Sequence, residues 1–87
     1  MTLESIFNRF PYTKGIDKIR MFIINKIGDV SICEFDVDQR ESFWWNFRNA
    51  NLSVNFLDKY SAVLDFEFRI ENASIVLEIQ VKNIMNF

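Results

Sequence analysis

The chain has 87 residues, of which 49% are apolar and 16% aromatic, with ten phenylalanines, one cysteine, no histidine and a formal net charge of −2. That length fits one domain spanning residues 1–87, and the apolar content lies far above the range of disordered chains. Without histidine there is no His-paired nucleophile and no histidine general base; a lone cysteine provides neither an internal disulfide nor a thiolate metal cluster.

Residues 2–10 read as a short amphipathic helix. Thr2 suits the N-cap, and Leu3, Ile6, Phe7 and Phe10 share one face at a 3.6-residue period. Pro11 and Gly15 end it. A first strand follows over 18–25, apolar on both faces from Met21 on, as an interior strand requires. Gly28 suits the turn Lys26-Ile27-Gly28-Asp29. In the second strand, Val30 to Val37, Cys33, Phe35 and Val37 lie on one side and Glu34 and Asp36 on the other. Cys33 is expected to be a buried, inert thiol.

Residues 38–50 fit two patterns. As a strand, Phe43, Trp45 and Phe47 alternate with Ser42, Trp44, Asn46 and Arg48. As a second helix over 39–50, Asp38 caps and Glu41 stands three residues on. The aromatic content tips the reading to strand. Leu52, Val54 and Phe56 alternate in a further strand. The last third is a hairpin: Leu64 to Ile70 and Ile75 to Lys82 alternate strictly around Asn72-Ala73. A two-residue turn there pairs Ile70 with Ile75, Phe68 with Leu77, Phe66 with Ile79 and Leu64 with Val81, leaving one face apolar and one charged. The expected fold is α+β and mostly β: a short N-terminal helix on a curved antiparallel sheet of five to six strands.

Charge is unevenly divided. Residues 1–28 carry five basic side chains against two acidic, and residues 29–87 carry five against ten. An acidic body is unsuited to neutralising phosphates, so no nucleic-acid partner is expected; a basic protein partner fits better. No apolar run approaches the roughly 18 residues of a membrane span, and Met1 to Ser5 has no basic leader. A cytoplasmic protein without membrane contact is therefore expected. The preference for Phe, Ile, Asn and Lys suggests AT-rich codons and a bacterial or phage gene.

Three features bear on function. First, Glu67 stands opposite Glu78 in the hairpin register, an unfavourable like-charge pair that a basic partner would relieve. Second, Trp44 and Trp45 are adjacent, so their rings cannot share one direction; one is free to anchor an interface beside Arg48. Third, acidic residues could hold a hard cation, with Asp36 and Asp38 at a strand end, Asp29 and Glu34 nearby. In addition, Asp65 with Gln80-Val81-Lys82 resembles the metal-dependent nuclease core of the restriction-endonuclease type. That resemblance, on three positions only, implies acids that hold Mg²⁺ and a lysine that orients water. An exposed charged face accounts for the same residues, and neither metal nor cofactor is expected.

The function expected is that of a small acidic binding protein without catalysis, an inhibitor covering a basic site. Its profile is that of toxin-immunity and phage anti-defence proteins. Asp65, Glu67, Glu71 and Glu78 would steer the encounter, and Trp44, Trp45 and Arg48 would anchor it. The alternatives are a structural subunit of a homo-oligomer, such as a homodimer, and a metal-dependent hydrolase.

Overall fold

The computed structural model describes residues 1–10, 13–50 and 57–83. The element order is α1 (Leu3–Arg9), β1 (Lys18–Ile24), β2 (Val30–Asp36), α2 (Phe43–Arg48), β3 (Val63–Glu71) and β4 (Ser74–Lys82). The class is α+β and mostly β, as expected. The described strands form one four-stranded sheet in the order β2-β1-β4-β3, fewer than the five or six anticipated.

Helix α1 begins where the sequence places it. The Thr2 hydroxyl accepts from the Ser5 amide, and the Ser5 side chain answers the Thr2 amide in a capping box. Leu3, Ile6 and Phe7 are buried. The amide of Leu3 donates to the Ser61 carbonyl and that of Val63 to the Met1 carbonyl, which ties the helix start to the start of β3.

The aromatic segment is helical, which overturns its reading as a strand. Ser42, not Asp38, is the N-cap of α2, and its side chain accepts from the Trp45 amide. Phe43 and Phe47, four residues apart, both enter the core. The physical reason is packing: Phe7 of α1 stacks on Phe43 at 5.5 Å, and Trp44 meets Phe7 edge-on at 4.8 Å. Two short helices thus bury a shared aromatic cluster that an extended chain would split between two faces. Buried Asn46 closes the preceding loop: its side-chain oxygen accepts from the Asp38 amide, and its amide nitrogen donates to the Asp38 and Ser42 carbonyls.

The sheet is mixed rather than antiparallel throughout. β1 pairs antiparallel with β2, and β3 antiparallel with β4. The two hairpins join through a parallel β1–β4 pair. Short connections predict antiparallel neighbours only within each hairpin; the link from β2 through α2 to β3 carries the chain across the sheet. The tail hairpin keeps its expected register from Asp65–Gln80 to Glu71–Ser74. Asn72 and Ala73 both have positive φ, 49° and 64°, which makes the tight turn. The register shifts at the far end, where Val63 instead of Leu64 pairs with Val81 and Leu64 bulges out, exposed. The expected strand around Leu52, Val54 and Phe56 lies outside the described residues.

Both helices pack on one sheet face. Its core is Ile19, Met21 and Ile23 of β1 with Leu77, Ile79 and Val81 of β4, joined by Cys33, Val63 and the helical side chains. Cys33 is a free, buried thiol, as expected. None of the helices among the described residues is long and apolar enough to cross a membrane.

Candidate protein-binding face

Among the described residues, no helix or strand covers the sheet face opposite α1 and α2. Because side chains alternate, it carries Lys18 and Arg20 of β1, Glu34 and Asp36 of β2, Glu78 and Lys82 of β4, and Asp65, Glu67, Arg69 and Glu71 of β3. Six carboxylates face four cations on this surface.

Arg20 is the hub. Its Nε donates to Glu34 at 2.9 Å, Nη1 to Glu71 at 2.6 Å and to Glu78 at 2.7 Å, and Nη2 to Glu71 at 2.8 Å. One guanidinium on β1 thereby reaches carboxylates on β2, β3 and β4. Glu78 is only 8% exposed, a depth at which a carboxylate requires charged partners. Its second oxygen accepts from Arg69 Nε at 2.8 Å, and Arg69 Nη2 reaches Glu67 at 3.1 Å. Lys18 completes the cluster on Glu34 at 3.1 Å.

This geometry relieves the like-charge Glu67–Glu78 pair within the sheet, through diagonal Arg69 and, beyond what the hairpin alone suggests, through Arg20. The two residues are register partners, but Arg69 lies between their carboxylates and Arg20 approaches Glu78 from the neighbouring strand. Charge-assisted bonds from Arg20, and for Glu34 also Lys18, hold Glu34 and Glu71 below the usual carboxylate range. The same bonds, Glu71 first, push Arg20 further up from an already high value. Glu67 does so most strongly for Arg69.

The expected site residues fall into two groups that the fold does not bring together. Asp65, Glu67, Glu71 and Glu78 share the open face. Trp44, Trp45 and Arg48 stand on α2, behind the covered face. Trp44 is half-buried against Phe7 and Phe47, while Trp45 is 42% exposed. Arg48 lines a cavity of about 350 Å³ with Trp44, Phe47, Leu57, Asp58 and Lys59. A single flat partner surface cannot engage Trp45 and the acidic face at once.

The positions that could hold a cation are also dispersed. Asp38 accepts two bonds from the Arg40 guanidinium, which hold its carboxyl down at about 2. Glu34 is taken by Lys18 and Arg20. Asp65 stands opposite Gln80, as the nuclease-like reading requires, but its Oδ1 accepts from the Phe66 amide at the bulge. Among the described residues, no three His, Cys, Asp or Glu side chains are grouped so as to hold a metal ion.

Sequence reasoning missed two things here. Arg20 gives no local signal, since its role depends on the order of strands in the sheet. The other is an apolar patch on the open face: Phe22 and Ile24 of β1 are half-buried, and their partners Ile32 and Val30 of β2 are 62% and 54% exposed. The doubly apolar first strand is its signal, a pattern that fits an interior strand and equally the apolar surplus of a homo-oligomer subunit. No family model matches this chain, and no curated protein or solved structure is significantly similar to it.

Proposed function

We propose that this chain is a small non-catalytic binding protein, an inhibitor of the immunity or anti-defence kind, which covers a basic site on a protein partner with the acidic open side of its β3–β4 hairpin. The observation that carries this reading is the arrangement of carboxylates on a sheet face that nothing covers among the described residues. Arg20 and Arg69 hold Glu71, Glu78 and Glu67 in fixed positions, so ordering them on binding costs little. Carboxylates still outnumber cations there, and Asp65 and Glu67, both exposed, present that surplus at the β3 edge. The surplus steers a basic surface inward, with a rate that falls as salt rises.

The test uses the tagged protein and an Asp65→Lys/Glu67→Lys variant as bait in lysate of the source cell. Glu78 is left intact because both arginines depend on it. Both baits are first shown to melt cooperatively. The expected result is one basic protein held by the wild type at low salt and lost both at high salt and with the variant. Equal retention by the two baits overturns the reading.

A further inference from the structure

We propose that a second copy of this chain docks on the outer edge of β2, forming a twofold dimer in which the two sheets run on as one. The backbone fixes which groups are available. The Asn25 amide donates to the Asp29 carbonyl across the β1–β2 turn, and the Ile24 carbonyl accepts from Asn83 on the opposite side. Odd-numbered residues of β2 therefore bond inward to β1, and Val30, Ile32, Glu34 and Asp36 turn their amides and carbonyls outward. Among the described residues no strand pairs with that edge.

Only antiparallel pairings that match outward residues with outward residues satisfy both copies. Setting Ile32 against Glu34, or Val30 against Asp36, places an apolar side chain opposite a carboxylate. Setting Val30 of each copy against Ile32 of the other aligns apolar with apolar. The patch of Phe22, Ile24, Val30 and Ile32 then becomes continuous across the twofold axis, with Ser31 facing its own counterpart. This register also places the turn of each copy, which bears exposed Lys26, alongside exposed Asp36 of the other. No like charges meet within the overlap, and the contact is self-complementary, as a twofold interface must be.

The other edge of the sheet is built differently. β3 carries the Leu64 bulge and alternating charges at Asp65, Glu67 and Arg69, devices that discourage edge pairing. β2 runs from Val30 to Asp36 without a register shift.

Sedimentation velocity from low to high micromolar concentration tests the proposal. The wild type should pass from monomer to dimer. Ile32→Lys places a charge at the centre of the patch on both copies and should weaken dimerisation about a hundredfold. Ile70→Lys, at a position 79% exposed on β3, should leave it unchanged. Ser31 pairs with itself at a non-hydrogen-bonded position, where Cα atoms lie about 4.5 Å apart, within disulfide range. Ser31→Cys should therefore form a disulfide-linked dimer under mild oxidation. A wild type monomeric at every concentration overturns the proposal. So does a dimer insensitive to Ile32→Lys, or one that Ser31→Cys fails to lock. None of these outcomes bears on whether the β3–β4 face binds a basic partner.

Discussion

At the scale of single residues, the β3–β4 turn couples sequence to stability most directly. Its two-residue geometry needs positive φ at both central positions, and Ala73 meets that need at φ 64° against the steric preference of its Cβ. Glycine carries no such penalty, although it loses more entropy on folding. Ala73→Gly should therefore stabilise the protein by about 0.5–1 kcal/mol, read as a higher denaturant midpoint with an unchanged slope. A lower midpoint would mean that the turn relaxes to another geometry in solution.

Among elements, α2 is the informative case, because the sequence supports two answers. Phe43, Trp45 and Phe47 alternate as a strand would, although Trp44 puts an aromatic ring on the other side. Helix prevails because Phe7 lies within reach of Phe43, Trp44 and Phe47 together, a neighbour that local pattern does not reveal. The tail hairpin was legible almost to the residue, since strict alternation and a fixed turn length leave one register. It fails only at Leu64, where the bulge is set by pairing between the chain start and the approach to β3, through the Thr2–Ala62 bridge. Strand order and the parallel β1–β4 contact were not legible, and with them the whole Arg20 cluster was hidden. Asn46 belongs at this scale too, as the side chain that holds α2 to its incoming loop. Asn46→Ala leaves the Asp38 amide without its partner, while the Asp38 and Ser42 carbonyls keep bonds from the Glu41 and Asn46 amides, and should cost about 2 kcal/mol, measured by chemical denaturation. A loss no larger than that of Ser42→Ala, about 1 kcal/mol, would show that water replaces the side chain.

Across the molecule, the two hairpins pair through β1 and β4, and Arg20 spans that seam. Its partners Glu34, Glu78 and Glu71 come from the other three strands, so one side chain links all four on the face opposite the two helices. This makes the fold's acid response predictable. Glu34 and Glu71 both have their pKa lowered from 4.5, first by Arg20. A carboxylate with a depressed folded pKa adds stability that is complete above its unfolded value and is lost as pH falls through the folded one. The melting temperature should therefore be level from neutral pH to about 5, then decline below 4.5 as these groups take up protons. Arg20→Met removes the cause while keeping an unbranched apolar side chain of similar length. That variant should melt several degrees lower at pH 7, and the gap should narrow steadily as pH drops below 4.5, because protonation removes the same interactions in the wild type. Melting curves of both proteins along one pH series decide it. A gap of constant width would show that Arg20 stabilises the sheet by packing alone, with no electrostatic link between the hairpins.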